Sequence, residues 1–242
     1  MSAMPSVFVC WKWTPHRGYR STFTAQAVNA LGRMLARHYP RPHKLICVTD
    51  DYAGIDASIE VLPHWNDFAD IPSPHGQKNP SCYRRLRMFA PDAGASFGPH
   101  FVSIDLDTVI TGDLTPLFDR PEDFVIWGDY TNPLTPYNGS LMMLRAGARP
   151  EVWTDFDPRL SPDQAKRAGF WGSDQGWISF KVRDAATWNK THGVYSYRND
   201  VKPKHGELPT DARLVAFHGN VDPWMPEAQA LPWVREAWGI AA

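Results

Sequence analysis

The chain of 242 residues is long enough for one α/β domain with an ample hydrophobic core. Its net charge of −1 excludes a general electrostatic attraction to nucleic acid or acidic membranes, so an anionic ligand must be held by local cations or by a metal ion. Three cysteines without a C-x-x-C pair argue against a disulfide framework and against a cysteine-rich zinc site.

The first part of the chain carries an alternation of strand and helix patterns. The apolar run at 7–11 predicts a buried strand. Apolar residues between Phe23 and Leu35 recur with the period of an α-helix, which Pro40 stops, and the run at 45–48 predicts the next strand. A strand–helix–strand unit favours a mostly parallel sheet that binds ligands beyond the carboxyl ends of its strands.

Further elements are predicted along the rest of the chain. Apolar runs indicate more strands, at 59–62, 101–104, 124–127, 141–144 and 214–217. Helices are expected at 81–89 and 174–182. On the first of these we expect at least two of the arginines Arg84, Arg85 and Arg87 to lie on a solvated face. No linker or internal repeat divides the sequence, so we predict a single α/β domain over residues 1–242.

No targeting or membrane segment is visible in the sequence. Residues 1–5 lack a basic flank and a long apolar stretch, which argues against a signal peptide. No run approaches the ~20 apolar residues that a transmembrane helix needs. We therefore expect a protein of the reducing cytoplasm with no transmembrane segment.

Two aspartates directly follow the predicted strand 101–104. Asp105 and Asp107 are separated by one residue, and unpaired carboxylates are costly to bury, so the pair needs solvent or a cation. Hard oxygen ligands suit Mg²⁺ or Mn²⁺, which bridge a few carboxylates to substrate phosphates. The alternative is that the pair only caps a turn in the following loop.

Two enzyme classes carry such an acidic pair after an apolar strand. In haloacid-dehalogenase phosphatases the pair belongs to a D-x-D-x-T string near the N-terminus, whereas this chain has Val109 at the last position and about a hundred preceding residues. In GT-A glycosyltransferases, D-x-D binds the metal that holds the diphosphate of a sugar nucleotide. The preceding βαβ pattern and the lack of a convincing later acidic pair favour the second class.

Five segments, in the same order, resemble glycosyltransferase family 8, the group that contains glycogenin and bacterial lipopolysaccharide galactosyltransferases. They are Tyr-Arg-Arg-Leu at 83–86, the D-x-D segment 104–114, the Asn-Gly strand 137–144, Ser-Asp-Gln at 173–175, and the late segment 217–224 with its His, Gly and Pro-Trp. The resemblance implies a GT-A fold with a Rossmann-like, mostly parallel central sheet flanked by helices. Residues 1–107 would form the nucleotide-binding half and residues 108–242 the acceptor and sugar half.

The resemblance also implies a metal site. Asp105 and Asp107 would bind Mn²⁺ or Mg²⁺, and His218 would be the third protein ligand, although it adjoins Gly219 instead of preceding a glycine by three residues. The alternative for His218 is a hydrogen-bonded histidine at the end of a strand.

Other residues are assigned to the nucleotide sugar by the same resemblance. Leu106, Asn138 and Gly219 would contact the donor, while Asp174 and Gln175 would be catalytic residues beside the sugar, with Gln175 near the reacting carbon in retaining members. The Asn-Gly pair also fits a turn, and the start of the helix at 174–182 also fits an N-cap.

One position departs from the family pattern. The lysine that would neutralise the leaving diphosphate is Asp222 in this chain. Arg85 and Lys204, with Lys202, are the cations that we expect to replace it. Trp11, Trp13 and Tyr19 are candidates for the nucleotide base, and Trp171 for an acceptor platform.

The expected function is therefore the metal-dependent transfer of a sugar from a nucleotide-diphosphate sugar, a UDP-sugar, to a glycan or other small acceptor. The resemblance implies retention of configuration, and the sequence leaves open an inverting transfer in which Asp174 or Asp129 deprotonates the acceptor. Two alternatives remain open. The acidic pair could serve a phosphatase of the haloacid-dehalogenase type, or the chain could bind a nucleotide or glycan without chemistry, because an aspartate cannot take over the role of a lysine. We do not expect the protein to bind nucleic acid.

Overall fold

The computed structural model describes residues 5–14, 22–76, 78–129 and 131–240. It begins with the predicted βαβ unit, which consists of β1 (Val7–Lys12), α1 (Ala25–His38) and β2 (Lys44–Thr49). The apolar stripe of α1 is buried, and the helix ends where the backbone N–H of Tyr39 donates to the carbonyl of Leu35, just before Pro40. The predicted βαβ unit is confirmed, because the apolar runs form buried strands and the apolar face of the helix packs in the core.

A larger sheet carries the site. It adds β3 (Glu60–Pro63), β4 (His100–Ile104), β6 (Phe124–Gly128), β7 (Tyr137–Arg145) and β8 (Ala186–Trp188), in the order β3-β2-β1-β4-β7-β6-β8. All neighbouring strands are parallel except at β7, which is antiparallel to both of its neighbours. The chain runs outward from β1 to β3 and then returns to place β4 on the other side of β1. This reversal opens a crevice beyond the carboxyl ends of β1 and β4.

A smaller sheet joins the acidic segment to the late part of the chain. Its strands are β5 (Thr108–Ile110), β9 (Val194–Ser196) and β10 (Leu214–Ala216), with β10 in the middle. β10 is antiparallel to β5 and pairs Ala216 with Thr108, and the backbone N–H of Phe217 donates to the carbonyl of Asp107 over 2.8 Å. These main-chain bonds bring the segment after β10 against the acidic pair.

Buried side chains cover both faces of the larger sheet. Alternate residues of β4 point to opposite faces, so Val102 and Ile104 join the cluster that includes α1, while Phe101 joins the cluster on the other face. The remaining α-helices are short and lie around these layers: α2 (Ala93–Phe97), α3 (Thr115–Phe118), α4 (Glu151–Thr154), α5 (Ser161–Arg167), α6 (Asp174–Lys181), α7 (Pro226–Gln229) and α8 (Pro232–Trp238). None of the described helices is long and apolar enough to cross a membrane.

The segment 81–89 differs from its prediction. It forms a 3₁₀-helix, Tyr83–Phe89, which packs against α4 and α6, and the expected solvated arginine face is wrong. Arg85 is buried, Arg84 is half-buried, and Arg87 pairs with Asp92 while its guanidinium lies over two tryptophan rings. Arg85 and Arg87 bring their charged heads to carboxylates, so an arginine repeat does not need to face solvent.

Candidate active site

A cavity of about 720 Å³ lies at the crevice between β1 and β4. Residues from both predicted halves of the chain line it. The lining includes most of the residues that the sequence assigns to the site, among them Arg85, Asp105, Leu106, Asp107, Asn138, Asp174, Gln175, His218 and Gly219. Lys202 and Lys204 are not part of it. The volume lies in the range of cavities that enclose small-molecule ligands.

Arg85 connects two of the predicted site residues. Its Nη2 lies 2.6 Å from Asp174 Oδ2, its Nη1 forms an ion pair with Asp105 Oδ1, and the same Nη1 donates to the carbonyl of Gly139 over 3.2 Å. Only 5% of Arg85 is exposed. Burial alone lowers the pKa of the guanidinium, but the carboxylates of Asp105 and Asp174 outweigh it, so the pKa lies above its ordinary value and the group stays charged. Its charge is already matched by two carboxylates, which makes Arg85 a positioning residue for both.

Glycine at 139 is required by this arrangement. A Cβ on residue 139 would lie 2.5 Å from Nη2 of Arg85, which is closer than non-bonded atoms approach. The pair Asn138–Gly139 does not form the turn that was the alternative to a ligand role. It lies inside β7, at the register shift where Trp127 of β6 pairs with Asn138. The bulge therefore aims Asn138 at the cavity and opens space for Arg85.

The acidic pair lies in a strongly negative part of the cavity. Burial and the charge of Asp174 raise the pKa of Asp105, against the effect of Arg85. Burial, followed by the charges of Asp105 and Asp222, raises the pKa of Asp107 to about 8. The Oδ1 atom of Asp107 is shielded from solvent and has no hydrogen-bond partner. Such an atom is costly unless a cation or proton compensates it.

The donor set fits a hard divalent cation. The orphan oxygen of Asp107 and the neighbouring Asp105 supply carboxylate ligands, and Mg²⁺-like ions are commonly held by one or two carboxylates together with water and substrate phosphate. The described residues do not gather three histidine, cysteine or acidic side chains into one preformed cluster. Asp105 and Asp107 by themselves therefore do not form a closed protein cage around an ion.

His218 lies on the same cavity wall but has a partner within the protein. Its Nε2 is 2.7 Å from the hydroxyl of Ser196, and its ring meets the edge of Trp127 with the centroids 5.3 Å apart. Burial lowers the pKa of His218, with the charge of Arg198 acting in the same direction, so the imidazole is neutral at pH 7. The hydrogen-bonded role is observed, and the metal-binding role stays a prediction.

Asp174 and Gln175 begin α6 at the cavity wall. Asp174 is 2% exposed, and its Oδ2 accepts a hydrogen bond from Nε of Arg85. The preceding residue, Ser173, does not cap the helix with its side chain, because its hydroxyl accepts a hydrogen bond from the backbone N–H of Cys82 over 2.8 Å. A Cβ at Gly172 would lie 2.7 Å from Gln175 Cγ, so the glycine makes room for the glutamine side chain.

Lys202 and Lys204 do not lie where the sequence interpretation expected the cations that replace the family lysine. Lys204 is exposed and does not line the cavity, and Lys202 forms a 2.8 Å ion pair with Glu227 outside it. Both lie in a short 3₁₀-helix, Lys202–Lys204, that follows a π-helical turn, Tyr197–Val201. The described cations on the cavity wall, besides Arg85, are Lys78 and Arg198, which the sequence interpretation missed. Arg198 lies in the same basic segment as Lys204. The π-helical turn that brings Arg198 to the cavity has no recognisable signal in the sequence.

Aromatic residues also line the cavity. Trp11, Trp13 and Phe23 do so from the β1 side, whereas Tyr19 lies outside the described residues. Trp171 is 53% exposed, and its ring lies 3.9 Å from that of His75 at an angle of 30°. An exposed tryptophan ring backed by a second ring at a cavity is a suitable surface for stacking a flat or weakly polar ligand face.

No sequence family and no curated protein sequence matches the chain. Several solved structures match its fold. The galactosyltransferase LgtC, in complex with donor and acceptor sugar analogs, is 14% identical, with a TM-score of 0.62 over 96% of this chain and 95% of LgtC. The glycosyltransferase GlyE of Streptococcus pneumoniae TIGR4 is 12% identical, with a TM-score of 0.59 over 96% of this chain and 62% of GlyE.

The bifunctional glycosyltransferase WbbM is 13% identical, with a TM-score of 0.55 over 98% of this chain and 51% of WbbM. The chain thus spans nearly all of LgtC but only about half to three fifths of the two longer proteins. Similarity at these identities concerns the fold, which for this chain is the GT-A fold of these glycosyltransferases.

Proposed function

We propose that the chain is a glycosyltransferase that moves a sugar from a UDP-sugar to a hydroxyl group of a glycan or other small acceptor. The observation that carries the proposal is the meeting of Asp105, Asp107 and Asp174 in one cavity at the strand-order reversal of a GT-A fold. Nucleotide ligands favour this place in α/β sheets, and the fold alone does not define the reaction.

The donor would bind with its diphosphate beside Asp105 and Asp107. A divalent ion, Mn²⁺ or Mg²⁺, would be held by these carboxylates, with His218 as the predicted third ligand, and would offset the negative charge of the diphosphate. The orphan oxygen of Asp107 supports this assignment. Leu106 and Gly219 line the cavity next to these residues and would contact the nucleotide, and Trp11 and Trp13 are the candidates beside the base.

The sugar would lie against Asn138, Asp174 and Gln175. In the transfer, the bond between the sugar C1 and the phosphate oxygen breaks and its electron pair goes to the departing diphosphate. The acceptor oxygen forms the new bond to C1 and gives its proton to an oxygen of the departing diphosphate, because this route needs no dedicated base. Arg85 fixes the carboxylate of Asp174 in advance, which supports a role in orienting sugar hydroxyls. We propose retention of configuration, and the anomeric signal of the product in NMR spectra tests it.

The acceptor would approach over Trp171. Its ring is exposed at the cavity and backed by His75, which suits stacking on a sugar face. The whole chain would act as one catalytic unit, with the nucleotide held mainly by residues 1–107 and the sugar by residues 108–242.

The decisive experiment is a screen of nucleotide sugars, with hydrolysis or transfer measured in the presence of Mn²⁺. We expect turnover of a UDP-sugar by the wild-type protein and its loss, by at least about 100-fold, in Asp107→Ala. Asp163→Ala is the matched control, because the side chain of Asp163 is exposed on α5 away from the cavity. Equal activity of Asp107→Ala and the control would remove the site assignment.

A second candidate is a domain that binds a nucleotide or glycan without chemistry. It is favoured by Asp222, which is 1% exposed and adds negative charge beside Asp107. A thermal shift with UDP and Mn²⁺ but no turnover of any nucleotide sugar would support it. The phosphatase alternative is not retained, because the fold is that of GT-A glycosyltransferases.

A further inference from the structure

Among the described residues that line the cavity, acidic side chains outnumber basic ones. Asp105, Asp107, Asp129 and Asp174 line it, and the charge of Arg85 is already taken by two of them. A diphosphate that enters this cavity meets like charges at close range, which disfavours binding unless further cations face it. Besides any metal ion, an additional positive group on the protein is therefore needed.

Arg198 occupies a well-anchored turn on the cavity wall. The ring of the preceding Tyr197 stacks on Phe217, with centroids 4.1 Å apart and an angle of 10° between the planes. The backbone N–H of Asn199 donates to the Ser196 hydroxyl, which is the group that contacts His218. The π-helical turn is thus fixed against the segment that follows β10, and π-helical turns are frequent at functional sites.

The side chain of Arg198 passes directly over Gly219. A Cβ on residue 219 would lie 3.2 Å from Arg198 Cδ and 3.9 Å from its Nη1. Two residues before Gly219, the backbone N–H of Phe217 donates a hydrogen bond to the carbonyl of Asp107. Arg198 therefore lies over the same part of the cavity as the acidic pair. Lys78, which also lines the cavity in the part of the chain that the structure describes, belongs instead to the loop that contains His75, beside Trp171.

Arg198 is also free to act on a ligand. It is exposed, and among the parts of the chain that the structure describes no carboxylate forms an ion pair with it. The guanidinium of Arg85, in contrast, already forms ion pairs with Asp105 and Asp174. A guanidinium presents several N–H donors in a planar fork that matches two phosphate oxygens.

We propose that Arg198 is a binding residue for the diphosphate of the donor and supplies the positive charge that Asp222 does not. The proposal rests on the glycosyltransferase function proposed above and assigns one of its unassigned contacts. Because the contact is to the diphosphate and not to the nucleoside, it strengthens UDP binding and leaves uridine binding unchanged.

The test is isothermal titration of UDP, UMP and uridine, each with Mn²⁺, into the wild-type protein and three variants. For Arg198→Ala we expect UDP binding to weaken by about 10- to 100-fold, the range of a charge-assisted hydrogen bond, with uridine binding unchanged. Arg198→Lys retains part of the affinity. Lys204→Ala removes an equal charge six positions along the chain, outside the cavity, and keeps wild-type affinity. Circular dichroism melting confirms that the exposed substitution leaves the fold intact.

The outcomes separate the two proposals. If the wild-type protein binds UDP and Arg198→Ala binds it equally well, the assignment of Arg198 is wrong while the proposed function stands. An equal loss in Arg198→Ala and Lys204→Ala also overturns it, since only the general field of the protein would be involved. If the wild-type protein binds none of UDP, GDP, ADP and CDP, the proposed function itself fails.

Discussion

Arg85 and Arg198 both line the cavity, but their environments differ. Arg85 is buried between Asp105 and Asp174, and its planar fork is filled by protein oxygens. Arg198 is exposed on a π-helical turn and has no ion-pair partner among the described residues. The comparison teaches that one charge organises the site before a ligand arrives, whereas the other is left for the ligand. The predictions below test this difference, from the largest expected effect to the smallest.

Removal of the buried guanidinium should have the largest effect. Arg85→Ala leaves two largely buried carboxylates without compensation, which we expect to cost about 3–5 kcal/mol of unfolding free energy. Arg198→Ala, at an exposed position, should change it by less than about 0.5 kcal/mol. Urea unfolding followed by circular dichroism measures both. Similar stabilities of the two variants would contradict the contrast between these arginines.

A methyl group at position 139 should disturb the same cluster by steric contact. Because the added Cβ would lie 2.5 Å from Nη2 of Arg85, Gly139→Ala should destabilise the protein by about 1–3 kcal/mol. In the background of Arg85→Ala the clashing atoms are gone, so the same substitution should cost much less. Urea unfolding of the double-mutant cycle measures this coupling, and additive effects would show that the clash is not with Arg85.

Asp107 lines the same cavity as the two arginines and should report on the negative charge there through the pH dependence of stability. Its pKa rises from an ordinary 3.8 to about 8, so the folded chain keeps a proton that the unfolded chain releases between these values. The stability that the group contributes at low pH is therefore lost as the pH rises towards 8.

The substitution Asp107→Asn removes this loss. In the absence of metal, the variant and the wild type should melt at similar temperatures near pH 4, and the variant should melt several degrees higher near pH 8, because it does not have to carry a buried negative charge there. Thermal melts in EDTA at both pH values measure the difference, with Asp163→Asn as an exposed control. A variant that is less stable than the wild type at pH 8 would contradict the interpretation.

Most strands of the larger sheet were accessible from sequence because they form apolar runs. β1, β2, β4 and β7 each match a predicted run. β10 was also predicted, at 214–217, although it has only three residues, because they form an uninterrupted apolar run. The three-residue strands β5, β8 and β9 were not predicted. An apolar pattern therefore indicates a strand where the run is uninterrupted, and short strands without such a run depend on their partners in the sheet.

The candidate site was predictable in part for a related reason. Asp105 and Asp107 stand out because carboxylates at the end of an apolar strand conflict with burial, and both line the cavity. The environment of Arg85 depends on Asp174, which is 89 positions away, so a local arginine pattern could not reveal it. Lys204 and Arg198 belong to one basic segment, and the backbone turn decides which of them faces the cavity.

The hydrogen bond between the backbone N–H of Phe217 and the carbonyl of Asp107 has a consequence for how the protein is made. It closes a loop of about 110 residues. Closing such a long loop costs chain entropy before the new contacts compensate for it, so contacts of this sequence separation form slowly. During synthesis, the acidic pair emerges well before His218 and Gly219, which line the same cavity. A nascent or truncated chain that ends before β10 would thus present the carboxylates of the crevice while still lacking this later part of its binding site.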